Sequence, residues 1–287
     1  MNQTIMLPDS LGEAVDALAA VPAAVPVAGG TDLMAAVNAG RLRPAALVGL
    51  GRINELRGWQ YQDGYALLGA TLTHSRMDRP DFAALMPALA AAARAAGPPQ
   101  VRNAGTLGGN IVSAQPTGDT LPVLAALEAV LCLAGPDGAR EVPVSHLLTG
   151  LDPLRGGELV SHVRVQLLHA PQVFLKSSPR SGPSRAPVSI AVVLDPGRRA
   201  VRCAVGGPAP VPLRPLEAEQ WVAEYIDWDA SQGARSIDPA ASAAFGDYVA
   251  QACVPEPPEG GPLGAGAQRL RRTVAVLARR ALGRVLR

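Results

Sequence analysis

Two pairs of adjacent glycines mark where the main chain of this protein can do chemistry. Val27-Ala28-Gly29-Gly30-Thr31-Asp32-Leu33 sets the first pair between a short apolar run and the start of a helical pattern. A junction of that kind turns backbone N–H groups outward, where they and a helix N-terminus favour an anion such as a pyrophosphate. Thr31 adds a hydroxyl donor and Asp32 a cap. The segment is not G-x-G-x-x-G, so the Rossmann fingerprint is not met; taken alone, a tight structural turn is the better account of it. Thr106-Leu107-Gly108-Gly109-Asn110 repeats the chemistry with a different flank, and two such loops suit two parts of one extended anionic ligand. Nine residues on, Asp119 opens a helical pattern, where an N-cap role accounts for it by itself. His74, His146, His162 and His169 have no metal-ligand spacing, and Cys132, Cys203 and Cys253 form no CxxC pair. The cysteines therefore supply neither an iron–sulfur cluster nor a structural zinc site, and no Ser/His/Asp or Cys/His arrangement stands out.

Several elements must position these residues. Ser10 and Glu13 fit a capping box, with Leu11, Val15, Leu18 and Ala19 on one helical face behind it. Val25–Ala28 reads as a buried strand, Leu33–Ala39 as a short helix ended by Gly40, and Ala46–Leu50 as a second strand. Strand, turn, helix and strand in that order predict a small α/β layer with a parallel pair. Tyr65–Ala70 is a further strand; Phe82–Ala96 is helical with a break at Pro87. The glycines of Val101–Val112 are too dense for a packed helix, so the segment predicts a strand interrupted by a tight loop. A helix over Leu121–Val130 and strands near Ala129–Ala134 and Val160–Leu167 follow. Composition shifts to Ser, Pro, Gly and Arg over Ser177–Pro187, which places a domain boundary near Ala170. Beyond it, Asp195-Pro196-Gly197 joins two β-branched runs as a hairpin. Cys253–Ala267 is a Pro/Gly-rich loop before a last helix with Leu270, Val274, Leu277, Ala281 and Val285 on one face.

Bulk properties remove other classes. The 287 residues are 48% apolar and 17% charged with a net charge of +2, which argues against wholesale disorder and against a nucleic-acid polyelectrolyte. No run is apolar enough to span a membrane, and the first residues lack the basic and apolar regions of a secretory signal, so a cytoplasmic location with reduced thiols is expected. Lys176 is the sole lysine among 26 basic residues.

AGGTDL, then RNAGTLGGNI about seventy-five residues later, then PTGDTLP, resembles the FAD-binding medium subunit of the molybdenum hydroxylases, the family of xanthine dehydrogenase and carbon monoxide dehydrogenase. The resemblance runs through GYALLGATLTHS and GGELV to the Arg-rich C-terminal helix. It implies an α+β fold: an FAD-binding domain of two α+β subdomains (PCMH-type) over 1–170, divided near residue 57, followed by a smaller α+β domain over 171–287 with a three-stranded antiparallel sheet. By position, it implies that Val27, Ala28, Gly29, Gly30, Thr31, Asp32 and Leu33 hold the pyrophosphate, and that Thr106, Leu107, Gly108, Gly109 and Asn110 form a second wall. Asp119 would accept from a polar group of FAD, Leu159 or Val160 would pack near the flavin, and Lys176, with Arg180 nearby, would stabilise charge on the reduced ring.

The activity so implied is electron transfer in a complex of xanthine dehydrogenase type. A molybdopterin-binding large subunit would oxidise substrate, an iron–sulfur small subunit would relay electrons to FAD, and NAD or another acceptor would take them. A stand-alone FAD oxidoreductase and a non-catalytic assembly subunit without flavin are the alternatives. No catalytic side chain, metal ligand, nucleic acid or membrane span is expected in this chain.

Overall fold

A computed structural model of the chain describes residues 4–177, 187–229, 236–256 and 263–287. The first helix, α1 (Leu11–Ala20), follows β1 (Thr4–Met6) and starts where Ser10 Oγ accepts from Glu13 N at 3.2 Å. The Glu13 carboxylate accepts from Asp9 N at 2.8 Å, one residue before the cap. The helix buries Ala14, Val15 and Leu18 in a cluster with Val48, Leu50, Ile53, Leu56 and Leu159. β2 (Ala24–Val27), α2 (Leu33–Asn38) and β3 (Ala46–Gly49) complete this layer, a parallel sheet in the order β1-β3-β2 with Val27 opposite Gly49. The strand–turn–helix–strand unit expected from the sequence is present.

β4 (Trp59–Gln62) and β5 (Tyr65–Gly69) form a hairpin, followed by α3 (His74–Met77), α4 (Pro80–Leu85) and α5 (Pro87–Ala95), with the expected break at Pro87. The next segment corrects the sequence reading. Val101–Val112 is not a strand with a loop but covers parts of two helices, α6 (Pro99–Ala104) and α7 (Leu107–Ser113), joined by Gly105 and Thr106. Thr106 caps α7, and Gly108 is needed because a methyl group there would lie 2.8 Å from Ala70 Cβ and 2.9 Å from its carbonyl oxygen. The glycines let a helix approach another backbone closely; they do not break it.

After α8 (Thr120–Ala126), β6 (Val130–Gly135), β7 (Gly138–Pro143), α9 (Val144–Thr149) and β8 (Leu159–Gln166) complete an antiparallel five-stranded sheet in the order β4-β5-β8-β6-β7. The remaining elements are β9 (Gln172–Lys176), β10 (Ser189–Asp195), β11 (Ala200–Gly206), α10 (Leu216–Ala223), α11 (Pro239–Cys253) and α12 (Ala265–Val285).

The chain divides into two compact units, and the division is discontinuous. The first comprises Met1–Arg79, Ala96–Ala114 and Glu128–Leu167; the second comprises Pro80–Ala95, Gln115–Leu127 and Leu168–Arg287. The first holds both sheets already described. The second is built on an antiparallel sheet in the order β11-β10-β9, whose hairpin turns at Asp195-Pro196-Gly197. Ile190, Val192 and Leu194 of β10 join an apolar cluster with Val222, Phe245, Val249, Val274, Ala278 and Leu282 from α10, α11 and α12. The alternate residues Ala191 and Val193 are also fully buried, and α8 lies against β10 and β11. α11 and α12 cross closely at Gly246, where a methyl group would lie 2.6 Å from the Ala275 carbonyl oxygen. Of the face expected on the last helix, Val274, Leu277, Ala281 and Val285 are buried.

Candidate cofactor site

The first glycine motif leaves β2 at Val27 and reaches α2 at Leu33 through five residues in irregular conformation. Gly30 carries φ +67°, a left-handed conformation that suits glycine. Gly29 touches a second backbone: a methyl group on it would lie 1.9 Å from Ala104 O and 3.0 Å from Gly105 Cα. The carbonyls of Gly30 and Asp32 accept from Met34 N and Ala36 N, at 2.9 and 3.0 Å. Among the described residues, the N–H groups of Gly29, Gly30, Thr31 and Asp32 donate to no protein acceptor, and the Asp32 side chain makes no cap bond. Four consecutive donors without a protein partner fit an oxyanion.

The second motif is built differently. Leu107 N donates to Leu72 O and Gly108 N to Ala70 O, both at 2.9 Å; Gly109 N donates to Thr106 Oγ1 at 3.2 Å and Asn110 N to Thr106 O at 2.9 Å. This loop differs from the first in that the N–H groups of Leu107, Gly108, Gly109 and Asn110 are used within the protein, and Gly108 serves close packing. Below it, His74 is 4% exposed, its backbone N–H donates to Gly105 O at 3.0 Å, and its ring lies under Gly105. Burial pushes the imidazole down to about pH 4, with Arg102 adding to the effect and Asp32 opposing it.

A cleft of about 440 Å³ opens beside the junction, with Ala28, Ala104 and Thr106 on its lining together with Arg57, Thr73 and Arg76. The Arg76 guanidinium stacks 4.2 Å over the Trp59 ring, and Arg57 donates to the Gly51 carbonyl. Sequence reading missed Arg57, Thr73 and Arg76, which carry no motif and come to the glycine loops only through the fold.

Leu159 and Val160 both lie in β8 at 2% and 4% exposure, with Leu159 in the cluster under α1. The preceding Glu158 is gripped by Arg140, through Nε at 2.7 Å and Nη2 at 2.8 Å, while Arg140 Nη1 reaches Asp152 at 2.8 Å.

Asp119 and Lys176 belong to the second compact unit, where they meet. Lys176 Nζ donates to Asp119 Oδ2 at 2.7 Å and to Ala95 O at 2.9 Å, and among the described residues its third proton has no acceptor. Asp119 stands at the N-cap position of α8 without making a cap bond, because its carboxylate is turned to Lys176. Burial raises the Asp119 pKa, and the hydrogen bond and charge of Lys176 hold the rise back. Arg180 lies outside the described residues.

Residues 1–166 match the family model described as the FAD binding domain in molybdopterin dehydrogenase. The chain belongs to that family. It is 35% identical over 162 residues to the carbon monoxide dehydrogenase medium chain of Hydrogenophaga pseudoflava, covering 55% of this chain and 56% of that one, so the match spans little more than half of the relative. It is 29% identical over 225 residues to the xanthine dehydrogenase FAD-binding subunit of Escherichia coli O157:H7, covering 74% and 76% of the two chains. Among solved structures, a carbon monoxide dehydrogenase from Hydrogenophaga pseudoflava superposes with a TM-score of 0.80 at 27% identity, over 99% of this chain and 97% of that one.

The protein is thus an FAD-binding flavoprotein subunit of an oxidoreductase of the molybdenum hydroxylase family, with the α+β fold and three-stranded C-terminal sheet that the resemblance implied. The donor set fits the cofactor: FAD carries a pyrophosphate, and the Gly29–Asp32 loop presents unspent N–H groups where a side chain on Gly29 would have no room. Among the described residues no group of His, Cys, Asp or Glu is placed to hold a metal ion, and no helix is long and apolar enough to cross a membrane.

Proposed function

We propose that this subunit carries electrons between a substrate-oxidising partner and a soluble acceptor in a complex of xanthine dehydrogenase type. The partners are a molybdopterin-binding large subunit and an iron–sulfur small subunit; NAD is the acceptor, and the complex works in the cytoplasm. FAD supplies a carrier that takes electrons singly and releases them in pairs. The observation that carries this reading is the Gly29–Asp32 loop, whose four unspent N–H groups suit the pyrophosphate of a dinucleotide.

The division of labour is supported by what the relatives are named for. Chains similar to this one belong to dehydrogenases of carbon monoxide, glyceraldehyde, xanthine and nicotinate. Substrates so different in size and polarity have no common pocket, which favours substrate selection in a different chain of each complex.

The chain's own residues have defined tasks in this reading. Val27–Leu33 bind the pyrophosphate with the main chain, and Thr106–Asn110 form the opposing wall. Leu159 and Val160 pack the β8 side of the flavin site. Asp119 and Lys176 act on the flavin as a pair: the shared hydrogen bond fixes the ammonium, whose remaining proton is offered to the ring. Because the carboxylate sits beside it, Lys176 acts through a directed hydrogen bond more than through a bare charge.

The test is the visible absorption of the purified chain, followed by metal analysis of the complex it captures. Flavin absorbance in the chain, iron and molybdenum in the complex, and bleaching of the flavin by NADH support the proposal. A flavin-containing chain that captures neither metal overturns the complex, and a flavin that NADH leaves oxidised overturns NAD as acceptor. A chain that stays colourless after addition of FAD overturns the binding role assigned to the loop.

A further inference from the structure

The helices of the second compact unit carry two charged stripes that match each other in spacing and do not meet within one chain. α10 lies against β11 and α12 against β9 and β10, while α11 packs on both helices. On α10, Glu217, Trp221 and Glu224 stand four and then three residues apart, which puts them on one face. Glu224 follows the last residue of the helix in a right-handed conformation and so continues that face. Both glutamates are exposed, and among the described residues neither makes an ion pair.

α12 repeats the spacing with the opposite charge. Arg272, Val276 and Arg279 also stand four and then three residues apart, and both arginines are exposed. They line an open groove between α11 and α12 together with Asp247. Among the described residues they make no ion pair with it or with any other carboxylate, whereas the neighbouring Arg271 is held by Glu256 at 3.3 Å. With a rise of 1.5 Å per residue, the two charges of each stripe are roughly 10 Å apart along their helix.

The centre of the α10 stripe is aromatic. The Trp221 ring lies 4.5 Å from that of Tyr225 and 4.8 Å from that of Tyr248 of α11, the second pair edge to face. Tyr225 and Tyr248 are 48% and 44% exposed, in a chain that is only 3% aromatic. An exposed aromatic cluster between charges has the composition of a binding surface, where Trp, Tyr and Arg carry most of the energy.

We infer that this helix face binds a second copy of the chain, with α10 of each copy laid along α12 of the other. Laid in either direction, each carboxylate of one helix falls beside a guanidinium of its partner, and Trp221 falls beside Val276 or Ala275. Two-fold symmetry makes the contact twice, so a pair of copies uses both stripes of each and closes. Charge complementarity selects the register, and burial of the aromatic cluster supplies affinity. The inference uses no part of the cofactor site.

The experiment is sedimentation of the full chain with its flavin at low and high salt. A species of twice the chain mass is expected, dissociating as salt rises. E217R/E224R and R272E/R279E each raise the dimer dissociation constant by about 100-fold or more, since like charges then face each other at both contacts. Mixed in equal amounts, the two variants recover a dimer containing one of each, because both contacts again pair opposite charges. E217Q/E224Q keeps the side-chain size and removes most of the salt dependence. A wild-type chain that stays monomeric overturns the inference, as does a dimer that neither charge reversal weakens. Reversed variants that keep their flavin yet recover no dimer when mixed also overturn it. Growth beyond the dimer with concentration overturns the two-fold closure. A monomeric wild-type chain whose reversed variants lose the iron and molybdenum of the captured complex overturns self-association and gives the face to a partner subunit.

Discussion

Gly29 and Ala104 meet backbone to backbone: a methyl group on Gly29 would lie 1.9 Å from the Ala104 carbonyl oxygen. The loop that presents the unspent N–H groups is therefore braced by a helix end seventy-five positions away in the chain. Gly29→Ala forces the two backbones apart. Overpacking of this kind costs about 1–3 kcal/mol of stability. The larger effect falls on the cofactor, because displacement turns the N–H groups away from their target; flavin affinity drops by ~100-fold, equivalent to about 2.7 kcal/mol. Flavin content on purification and thermal melting of the same samples separate the two effects. A variant that melts early yet retains full flavin shows that the loop does not hold the cofactor.

Asp119 and Lys176 are linked tightly enough that neither is replaceable alone. The Asp119 side chain is 7% exposed and that of Lys176 24%. Lys176→Met leaves a buried carboxylate without its cation, a change that costs about 3–5 kcal/mol in well-buried pairs and less here because Lys176 is part-exposed. Asp119→Asn in the same background relieves most of that loss. Denaturant unfolding of the two single variants and the double variant gives the coupling; additivity would show that the pair does not act as a unit.

Local signals carried much of the fold. Ser10 and Glu13 start α1, Pro87 divides α4 from α5, and Asp195-Pro196-Gly197 closes the last hairpin, each through an interaction within a few residues. The misreading of α6 and α7 has a long-range cause. Glycine density counts against a helix locally, but Gly108 is there because Ala70 approaches α7 from another strand's end. β4 went unread because WQYQ interleaves polar residues on an edge strand. The site divides in the same way. The glycine loops are visible as motifs, whereas the Lys176–Asp119 contact spans 57 residues and the Arg76–Trp59 stack joins a helix to a strand. Nothing in local spacing encodes such pairs.

Arg140 organises the loop before β8. Its guanidinium holds both Glu158 oxygens, Asp152 and the Pro153 carbonyl, and Glu158 also accepts from Arg155 N at 2.7 Å. The Arg140 hydrogen bond keeps the Glu158 carboxyl below its ordinary range despite the opposing effect of burial. Its stabilising contribution is therefore complete above the ordinary carboxylate pKa and is lost as pH falls through the lowered one. Arg140→Met removes it, so acid unfolding begins at higher pH and the Arg155 amide exchanges faster with solvent. Unchanged exchange at Arg155 would show that the loop is held by other contacts.

His74 contributes a pH dependence of the same sign from a different cause, burial of an imidazole that stays neutral. Its imidazole is neutral in the folded protein down to about pH 4, whereas in the unfolded chain it takes a proton near 6.5. Between those values the unfolded state binds more protons, so stability falls as pH drops from 6.5 towards 4 and is fully present above 6.5. The difference amounts to about 3 kcal/mol. Glutamine at this position does not titrate, so the wild-type and His74→Gln stability curves converge by about that amount across the interval. Subtracting the two curves removes the other groups, such as His162 and Asp119, that titrate in both proteins. A direct check is the imidazole chemical shift, with an expected midpoint near 4. A midpoint at 6.5 would mean that the ring is solvated, and that the Gly105 turn lying over it does not seal the floor beneath the two glycine loops.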